Sequence, residues 1–315
     1  MKTGTLKYLL FWWLFMVSQK ALSQITYETV WVDYDSAWQY KNLKIIPIRG
    51  KNHPGNPLLG GPGNIISLSQ ALNSGLATIS ERGTASTENV HWLRINNHSD
   101  KSILINSGEV ISGGRQDRIV SRDTIMAPSP RDEYIPVMCV EEERWSDKEK
   151  KFTHSNFANS RLRKAVDISK NQVLIWREIG NQLEQGGVKS NTLAYLSRSL
   201  DKKNLPLSDD YFQYFLKKFR ESDSTIVGFV CLSGNKIIGS DIYAGTNLFY
   251  PQLEPLLRGY IDDALFFGSP VTLPDKPVRE YMDKILTDTR TQEEFVPRNG
   301  KIFRQFGQVI HINTF

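Results

Sequence analysis

Short apolar segments, broken by Gly, Pro, Asn and Asp, fill the chain between residues 43 and 140. Runs of this kind are typical of β-strands. A tight turn can join two antiparallel strands, whereas parallel strands need a crossover of about a dozen residues or more. The close spacing therefore predicts antiparallel β structure. The segments that we predict as strands are Leu43–Ile48, Leu76–Ser80, Val90–Ile95, Ser102–Ile105, Asp117–Met126 and Tyr134–Val140.

Helical periodicity begins beyond residue 170. Apolar residues recur at i, i+3, i+4 and i+7 from Leu253 to Leu265, and Pro251 is placed to open this helix. The other predicted elements are the helices Gln172–Leu183, Asp209–Glu221 and Val278–Leu286, the hairpin strands Thr225–Leu232 and Lys236–Tyr243, and two strands around Gly307. We therefore predict an α+β fold, with a mostly antiparallel β N-terminal half followed by helices packed with a β-hairpin.

The first 23 residues have the organisation of a cleavable export signal. Lys2 and Lys7 precede the apolar run Tyr8–Val17, and small residues in Ala21-Leu22-Ser23 suit a signal peptidase. Ten residues rise about 15 Å as a helix, well short of the roughly 30 Å hydrocarbon core of a bilayer. We predict a signal peptide at 1–23, export to the periplasm or extracellular space, and no stable membrane anchor after cleavage.

Residues 24–315 are predicted to form a single mature α+β domain, with a subdomain boundary at the charged stretch near 146–152 as the alternative. The chain has 39 basic and 34 acidic residues, and the signal segment holds three of the lysines and no acid, which leaves a net charge of +2. No long basic stripe remains, so the sequence predicts no nucleic-acid partner.

Two cysteines, Cys139 and Cys231, allow two interpretations. They could pair in an oxidising compartment, or each could be a small buried apolar residue within a strand. A nucleophilic Cys139 would need a histidine or a positive environment, and no histidine lies near it in sequence.

The run from Asn106 to Trp145 is the main candidate for a site, because it gathers charged and amide side chains beside predicted strands. Arginine presents a rigid fork of donors that suits phosphate or carboxylate. The run therefore predicts a site for a small anionic ligand, while catalytic residues and cofactors stay unassigned. The candidate ligand-binding residues are Glu109, Arg115, Gln116, Asp117, Arg118, Glu141, Arg144 and Trp145, with Asp241 from the later hairpin.

Other interpretations of these residues stay open. Alternation along a strand would put Gln116 and Arg118 on one face, and Arg118 could pair with Glu141 or Glu109 in a buried structural network. Two of the four carboxylates Glu109, Asp117, Glu141 and Asp241 could instead serve an envelope hydrolase. A structural or interaction protein without a small-molecule site is the third alternative. The histidines lack paired spacing, so a metal site is not predicted.

The segments Gly108-Glu109, Gly113–Arg118, Ile135–Glu141 and Arg144-Trp145 resemble the ARG and rhodanese-phosphatase-superfamily-associated protein domain family. A weaker resemblance to the same family extends over roughly residues 40–290 and includes Asn191–Leu196. The family is named for its genomic association with ADP-ribosylglycohydrolases and rhodanese-like phosphatases. The resemblance implies a role around ADP-ribose or NAD-derived nucleotides, but it carries over no catalytic residue. The export signal is a departure, because nucleotide cofactors are largely cytoplasmic.

Overall fold

A computed structural model describes residues 24–51, 65–83, 89–144, 151–198 and 205–315 of the chain. The predicted signal peptide and Trp145 lie outside the described residues, as does most of the predicted boundary near 146–152. Within the described residues, 16 strands and seven α-helices form an α+β fold, which confirms the predicted fold class.

The largest sheet joins the two ends of the chain. Its seven strands pair in the order β1-β3-β13-β14-β16-β15, with β2 also on β3, and every pairing is antiparallel. Every residue of β13 is buried, as expected for the apolar centre of a sheet. The strands are β1 (Val30–Val32), β2 (Trp38–Tyr40), β3 (Leu43–Gly50), β13 (Ile226–Ser233), β14 (Lys236–Tyr243), β15 (Gly300–Gln305) and β16 (Gln308–Thr314).

Two smaller sheets use the strands between residues 65 and 157. One has the order β10-β7-β4, and the other has the order β12-β8-β9-β11-β6-β5. Only the pairing of β4 with β7 is parallel among the described strands. These strands are β4 (Ile65–Ser67), β5 (Ala77–Glu81), β6 (Trp92–Asn97), β7 (Ser102–Ile105), β8 (Glu109–Ser112), β9 (Arg118–Val120), β10 (Thr124–Met126), β11 (Glu133–Cys139) and β12 (Thr153–Phe157).

The single strand expected at Asp117–Met126 is wrong. The structure divides it into β9 and β10, which belong to different sheets. Asp123, in the break between them, is buried and accepts hydrogen bonds from Asn106 Nδ2 at 3.0 Å and Ser107 N at 3.1 Å. A buried carboxylate needs such partners, and a straight strand would not bring it to them.

The helices begin with α1, whose N-terminus is capped by Ser67. Ser67 Oγ accepts from Gln70 N at 3.1 Å, and Ser67 N donates to Gln70 Oε1 at 3.2 Å, which completes a capping box. The helices are α1 (Leu68–Asn73), α2 (Ser160–Lys164), α3 (Gln172–Gln185), α4 (Leu205–Glu221), α5 (Thr246–Phe266), α6 (Asp275–Leu286) and α7 (Thr289–Asn299), with a π-helix at Ala165–Ser169 and a 3₁₀-helix at Tyr195–Arg198.

The predicted start of the long helix at Pro251 is also wrong, because α5 begins at Thr246 and contains Pro251. Leu248 and Phe249, in the extra turn, are almost completely buried. Their burial, about 1.5–3 kcal/mol for each side chain, offsets the backbone hydrogen bond that the proline lacks.

The main core lies between the large sheet and helices α4 and α5. Its aromatic centre includes Phe229, whose ring centroid is 5.8 Å from that of Phe249 and 5.5 Å from that of Tyr260. Edge-to-face pairs of this kind add to the stabilisation from burial alone. No helix of the described residues is both long and apolar enough to span a bilayer.

Cys139 and Cys231 are both buried, and no disulfide joins them in the structure. Burial raises the pKa of the Cys231 thiol. The structure thus favours the interpretation of these residues as small apolar side chains over a disulfide.

Candidate ligand-binding site

Six side chains from the predicted site region and one from β5 form a single group, here named the motif cluster. A turn at Gly113–Asp117, instead of the expected strand, brings them together. Gly113 and Gly114 have φ of +125° and +52°, and a Cβ on Gly114 would lie 2.0 Å from Phe152 Cζ. Only glycine fits this turn without strain. The members are Glu81, Arg115, Gln116, Asp117, Arg118, Glu141 and Arg144.

Arg144 lies on the solvent-facing side of the cluster, where 19% of its side chain is exposed. Its Nε donates to Glu141 Oε2 at 2.5 Å, and its Nη2 donates to Asp117 Oδ1 at 3.0 Å. The same guanidinium donates to the carbonyls of Gly113 and Gly114, each at 3.2 Å. Arg144 therefore uses its fork of donors within the protein.

Arg118 occupies the buried side of the cluster. Its Nη1 donates to Gln116 Oε1 at 3.2 Å, and its Nη2 lies 3.9 Å from Glu81 Oε2. Glu81, which the network interpretation did not name, thus lies beside Arg118. Three arginines face three carboxylates in the cluster, so it offers no excess positive charge to an anion.

Asp241 and Glu109 lie outside the motif cluster. Asp241 is completely buried between Arg163, Tyr260 and His311, with His311 Nε2 2.9 Å and Tyr260 Oη 2.7 Å from its carboxylate. Glu109 is equally buried, with Oε1 3.8 Å from His154 Nε2. Burial raises the pKa of Glu109. Neither carboxylate is exposed to solvent as a hydrolase would require.

Asp241 belongs to a second group, the central polar cluster, which connects the three sheets. Lys301 Nζ lies 2.6 Å from Asp123 Oδ2 and 3.4 Å from Asp167 Oδ1, while Ser107 Oγ donates to Asp167 Oδ1 at 2.5 Å. The π-helix places Asp167 at this point. The members are Asn106, Ser107, Asp123, Arg163, Asp167, Asp241, Tyr260, Lys301, His311 and Asn313.

Electrostatics inside the central polar cluster favour ionised carboxylates. Burial alone would raise the pKa of Asp123, but Lys301 and His311 outweigh it and hold that pKa below its usual range. Arg163 and His311 do the same for the pKa of Asp241 against the effect of burial. All these carboxylates are buried, so the cluster is suited to joining sheets and not to contacting a ligand.

An open hollow lies elsewhere, between the 3₁₀-helix and helices α4 and α5, and is here named the Arg198 cleft. Its volume is about 220 Å³. Polar and apolar side chains both line it, a combination that is typical of small-molecule sites. The lining includes the polar residues Asn156, Tyr195, Arg198, Asp209, Arg258 and Asp262, and the apolar residues Leu205, Leu265 and Phe266.

Arg198 is held in a fixed position at the wall of the cleft. Its two terminal nitrogens donate to Gln182 Oε1 and Asp262 Oδ2. The guanidinium lies over the rings of Tyr195 and Phe266, at 5.0 Å and 4.9 Å from their centroids. Its Nε has no hydrogen-bond partner among the described residues, although Arg198 is only 2% exposed.

Arg258 supplies a second guanidinium to the lining of the cleft. It lies 3.8 Å from the centroid of the Phe212 ring, and its Nη1 is 3.7 Å from Asp209 Oδ1. That distance is too long for a hydrogen bond, and both side chains are at least one-third exposed. Arg258 therefore keeps donors available to a group in the cleft.

None of the eight candidate residues that the structure describes is among the residues that line the Arg198 cleft. Arg198 and Arg258 carry no local motif, and they meet only because the 3₁₀-helix packs near α5. The one sequence signal close to the cleft was the resemblance at Asn191–Leu196, which ends just before Arg198.

Comparison with known proteins gives one result. Neither a curated protein nor a solved structure matches the chain. Residues 31–308, which are nearly the whole chain, match the ARG and Rhodanese-Phosphatase-superfamily-associated Protein domain. The chain therefore belongs to this family.

Proposed function

We propose that the protein is an exported binding protein for a small anionic, sugar- or nucleotide-like ligand, which it holds in the Arg198 cleft. The observation that carries the proposal is the Nε–H of Arg198, a buried donor at the wall of an open hollow without an acceptor among the described residues. Leaving such a donor unsatisfied costs about 1–3 kcal/mol, and more for a charged group. A phosphate or carboxylate oxygen would remove this cost.

The mixed lining indicates a ligand that has both a charged and an apolar part. Arg198 and Arg258 suit an oxyanion, whereas Leu265 and Phe266 suit the face of a sugar or base. The volume of about 220 Å³ is below the roughly 300–1,000 Å³ of drug-sized ligand pockets. It fits a sugar phosphate, or one half of an ADP-ribose-like molecule, better than a complete dinucleotide.

Export is part of the proposal and is supported by the basic, apolar and small-residue order of residues 1–23. The ligand would then be met in the periplasm or extracellular space.

A hydrolase that uses paired carboxylates is the weaker proposal. Asp262 lies in the cleft, but its Oδ2 already accepts from Asn159 Nδ2 at 2.9 Å, from the Tyr195 hydroxyl at 3.4 Å and from Arg198. A carboxylate with three donors on one oxygen is a poor general base.

Isothermal titration of the purified protein with ribose 5-phosphate, AMP and ADP-ribose tests the proposal. Arg258→Gln should weaken binding by about tenfold or more, because it removes a charged donor worth about 1.4 kcal/mol. Arg220→Gln, on the exposed face of α4, is the matched control and should bind as the wild type does. The proposal is wrong if none of the three compounds binds, or if Arg258→Gln binds them as tightly as the wild type.

A further inference from the structure

A second hollow lies at the other side of the end of α5 and is here named the Ser233 pocket. Its volume is about 170 Å³. It is distinct from the Arg198 cleft, because α5 contributes Asp262 and Phe266 to the cleft and Asp263 to the pocket. Its lining includes Ser160, Arg161, Lys164, Ser233, Lys236, Asp263 and Gly268.

Ser233 places a hydroxyl group at the inner wall of this pocket. The residue is 2% exposed, and its Oγ has no hydrogen-bond partner among the described residues. A Cβ on Gly268 would lie 2.6 Å from that Oγ, so glycine keeps the space beside the hydroxyl free. A buried hydroxyl without a partner is unfavourable, and an acceptor in the pocket would satisfy it.

Lys164 and Lys236 bring two positive charges to the same pocket from α2 and from β14. Both are exposed, and neither has an acidic partner among the described residues. In contrast, Lys217 and Lys276 each lie within 4.0 Å of a glutamate on their own helix. Unpaired ammonium groups beside a concave surface create a positive potential.

The carboxylate in the pocket is turned towards the backbone. Asp263 Oδ2 accepts from Ser160 N at 2.7 Å. That contact withdraws part of its charge from the pocket. Arg161 also lines the pocket but is paired with Glu178, which leaves Lys164 and Lys236 as the basic side chains beside Asp263.

From this arrangement we infer that the Ser233 pocket binds a phosphate-type oxyanion, with the Ser233 hydroxyl as the inner donor and Lys164 and Lys236 as the charged rim. The geometry offers one hydroxyl and two ammonium donors, from three separate elements, around a space of suitable size. Tetrahedral oxyanions accept several such hydrogen bonds at once.

Thermal-shift titration with inorganic phosphate, against sodium chloride at matched ionic strength, tests the inference. Phosphate should raise the melting temperature of the wild type with an apparent Kd on the order of millimolar. The double variant Lys164→Gln/Lys236→Gln should weaken that Kd by about tenfold. Lys217→Gln/Lys276→Gln removes the same charge from remote exposed positions and should leave the phosphate effect unchanged.

Two further variants separate the Ser233 pocket from other effects. Ser233→Ala should keep the melting temperature of the free protein and reduce the phosphate shift, because the hydroxyl makes no described hydrogen bond. Arg258→Gln, in the Arg198 cleft, should leave intact the part of the phosphate shift that depends on Lys164 and Lys236, so failure of the proposed function would not remove it. An equal shift from chloride, or full phosphate binding by the Lys164→Gln/Lys236→Gln variant, would overturn the inference.

Discussion

Arg163 holds both carboxylate oxygens of Asp241, with Nη2 2.6 Å from Oδ1 and Nη1 2.9 Å from Oδ2. Both side chains are buried, and they connect helix α2 to strand β14 of the large sheet. Burying two charges is costly, and the bidentate geometry with added hydrogen bonds offsets that cost. The pair therefore stabilises the fold only while both partners are present.

Asp241→Asn should lower the free energy of unfolding by about 3–5 kcal/mol, because it leaves the buried guanidinium of Arg163 without its counter-charge. Urea denaturation followed by circular dichroism measures the change. Glu280→Gln removes an acid from an exposed helical pair, Lys276–Glu280, and should have almost no effect. An unchanged urea midpoint for Asp241→Asn would mean that the pair contributes nothing to stability.

Gly108→Ala should destabilise the protein through both backbone strain and a clash. Gly108 has φ of +94°, and an added Cβ would lie 2.8 Å from Arg163 Cγ. Gly75 has φ of +69° with no atom within 4 Å of such a Cβ, so Gly75→Ala isolates the strain. We expect a loss of about 1–2 kcal/mol for Gly75→Ala, and about 1–3 kcal/mol more for Gly108→Ala. Equal losses in thermal melts would show that the contact with Arg163 is unimportant.

Arg144→Ala tests what the motif cluster does. Its removal leaves Glu141 and Asp117 facing each other, and Glu141 is only 5% exposed. We expect a loss of about 2–4 kcal/mol, because a buried charge and its hydrogen bonds lose their partner. Arg122→Ala, at an exposed position, is the control for simple loss of an arginine. A stable Arg144→Ala protein that no longer binds AMP would instead place the ligand at the motif cluster.

Asp263 should make stability depend on pH in a specific direction. Burial raises its pKa to about 6 against the usual 3.8, although the Ser160 N–H and nearby arginines lower it. A carboxyl group with a raised folded-state pKa stabilises the fold below its unfolded pKa. That stabilisation is lost as the pH rises through 4 to 6.

Asp263→Asn removes this dependence. The free energy of unfolding of the variant, minus that of the wild type, should therefore increase by about 3 kcal/mol between pH 4 and pH 8. Urea midpoints of both proteins at pH 4, 6 and 8 provide the measurement. A difference that does not vary with pH would show that the pKa of Asp263 is not raised.

Elements that depend on local sequence were predicted closely. Ser102–Ile105 is a strand with those bounds, and β14 spans Lys236–Tyr243 as expected. The helix predicted from Gln172 starts there and runs to Gln185. Apolar periodicity and turn residues determine structure through residues that are close in the chain, so they can be recognised in a single sequence.

The candidate site was predicted only in its local part. Gln116, Asp117, Arg118, Glu141 and Arg144 do come together in the structure, because they flank neighbouring strands. Their partner Glu81 was not foreseen, because it reaches Arg118 across an antiparallel sheet whose register is not readable from spacing. Asp241 lies in the central polar cluster for the same reason, because its position depends on long-range strand pairing that the sequence does not reveal.

The amino-acid sequence by itself determined the α+β class, the turns and most strands and helices, because short-range sterics and apolar patterning decide those features. Only the tertiary structure decided where α5 begins, how Asp117–Met126 divides, and which charges are neutralised. It also created the Arg198 cleft from residues more than 40 positions apart. Burial and long-range pairing set these outcomes, and neither is a property of any one segment.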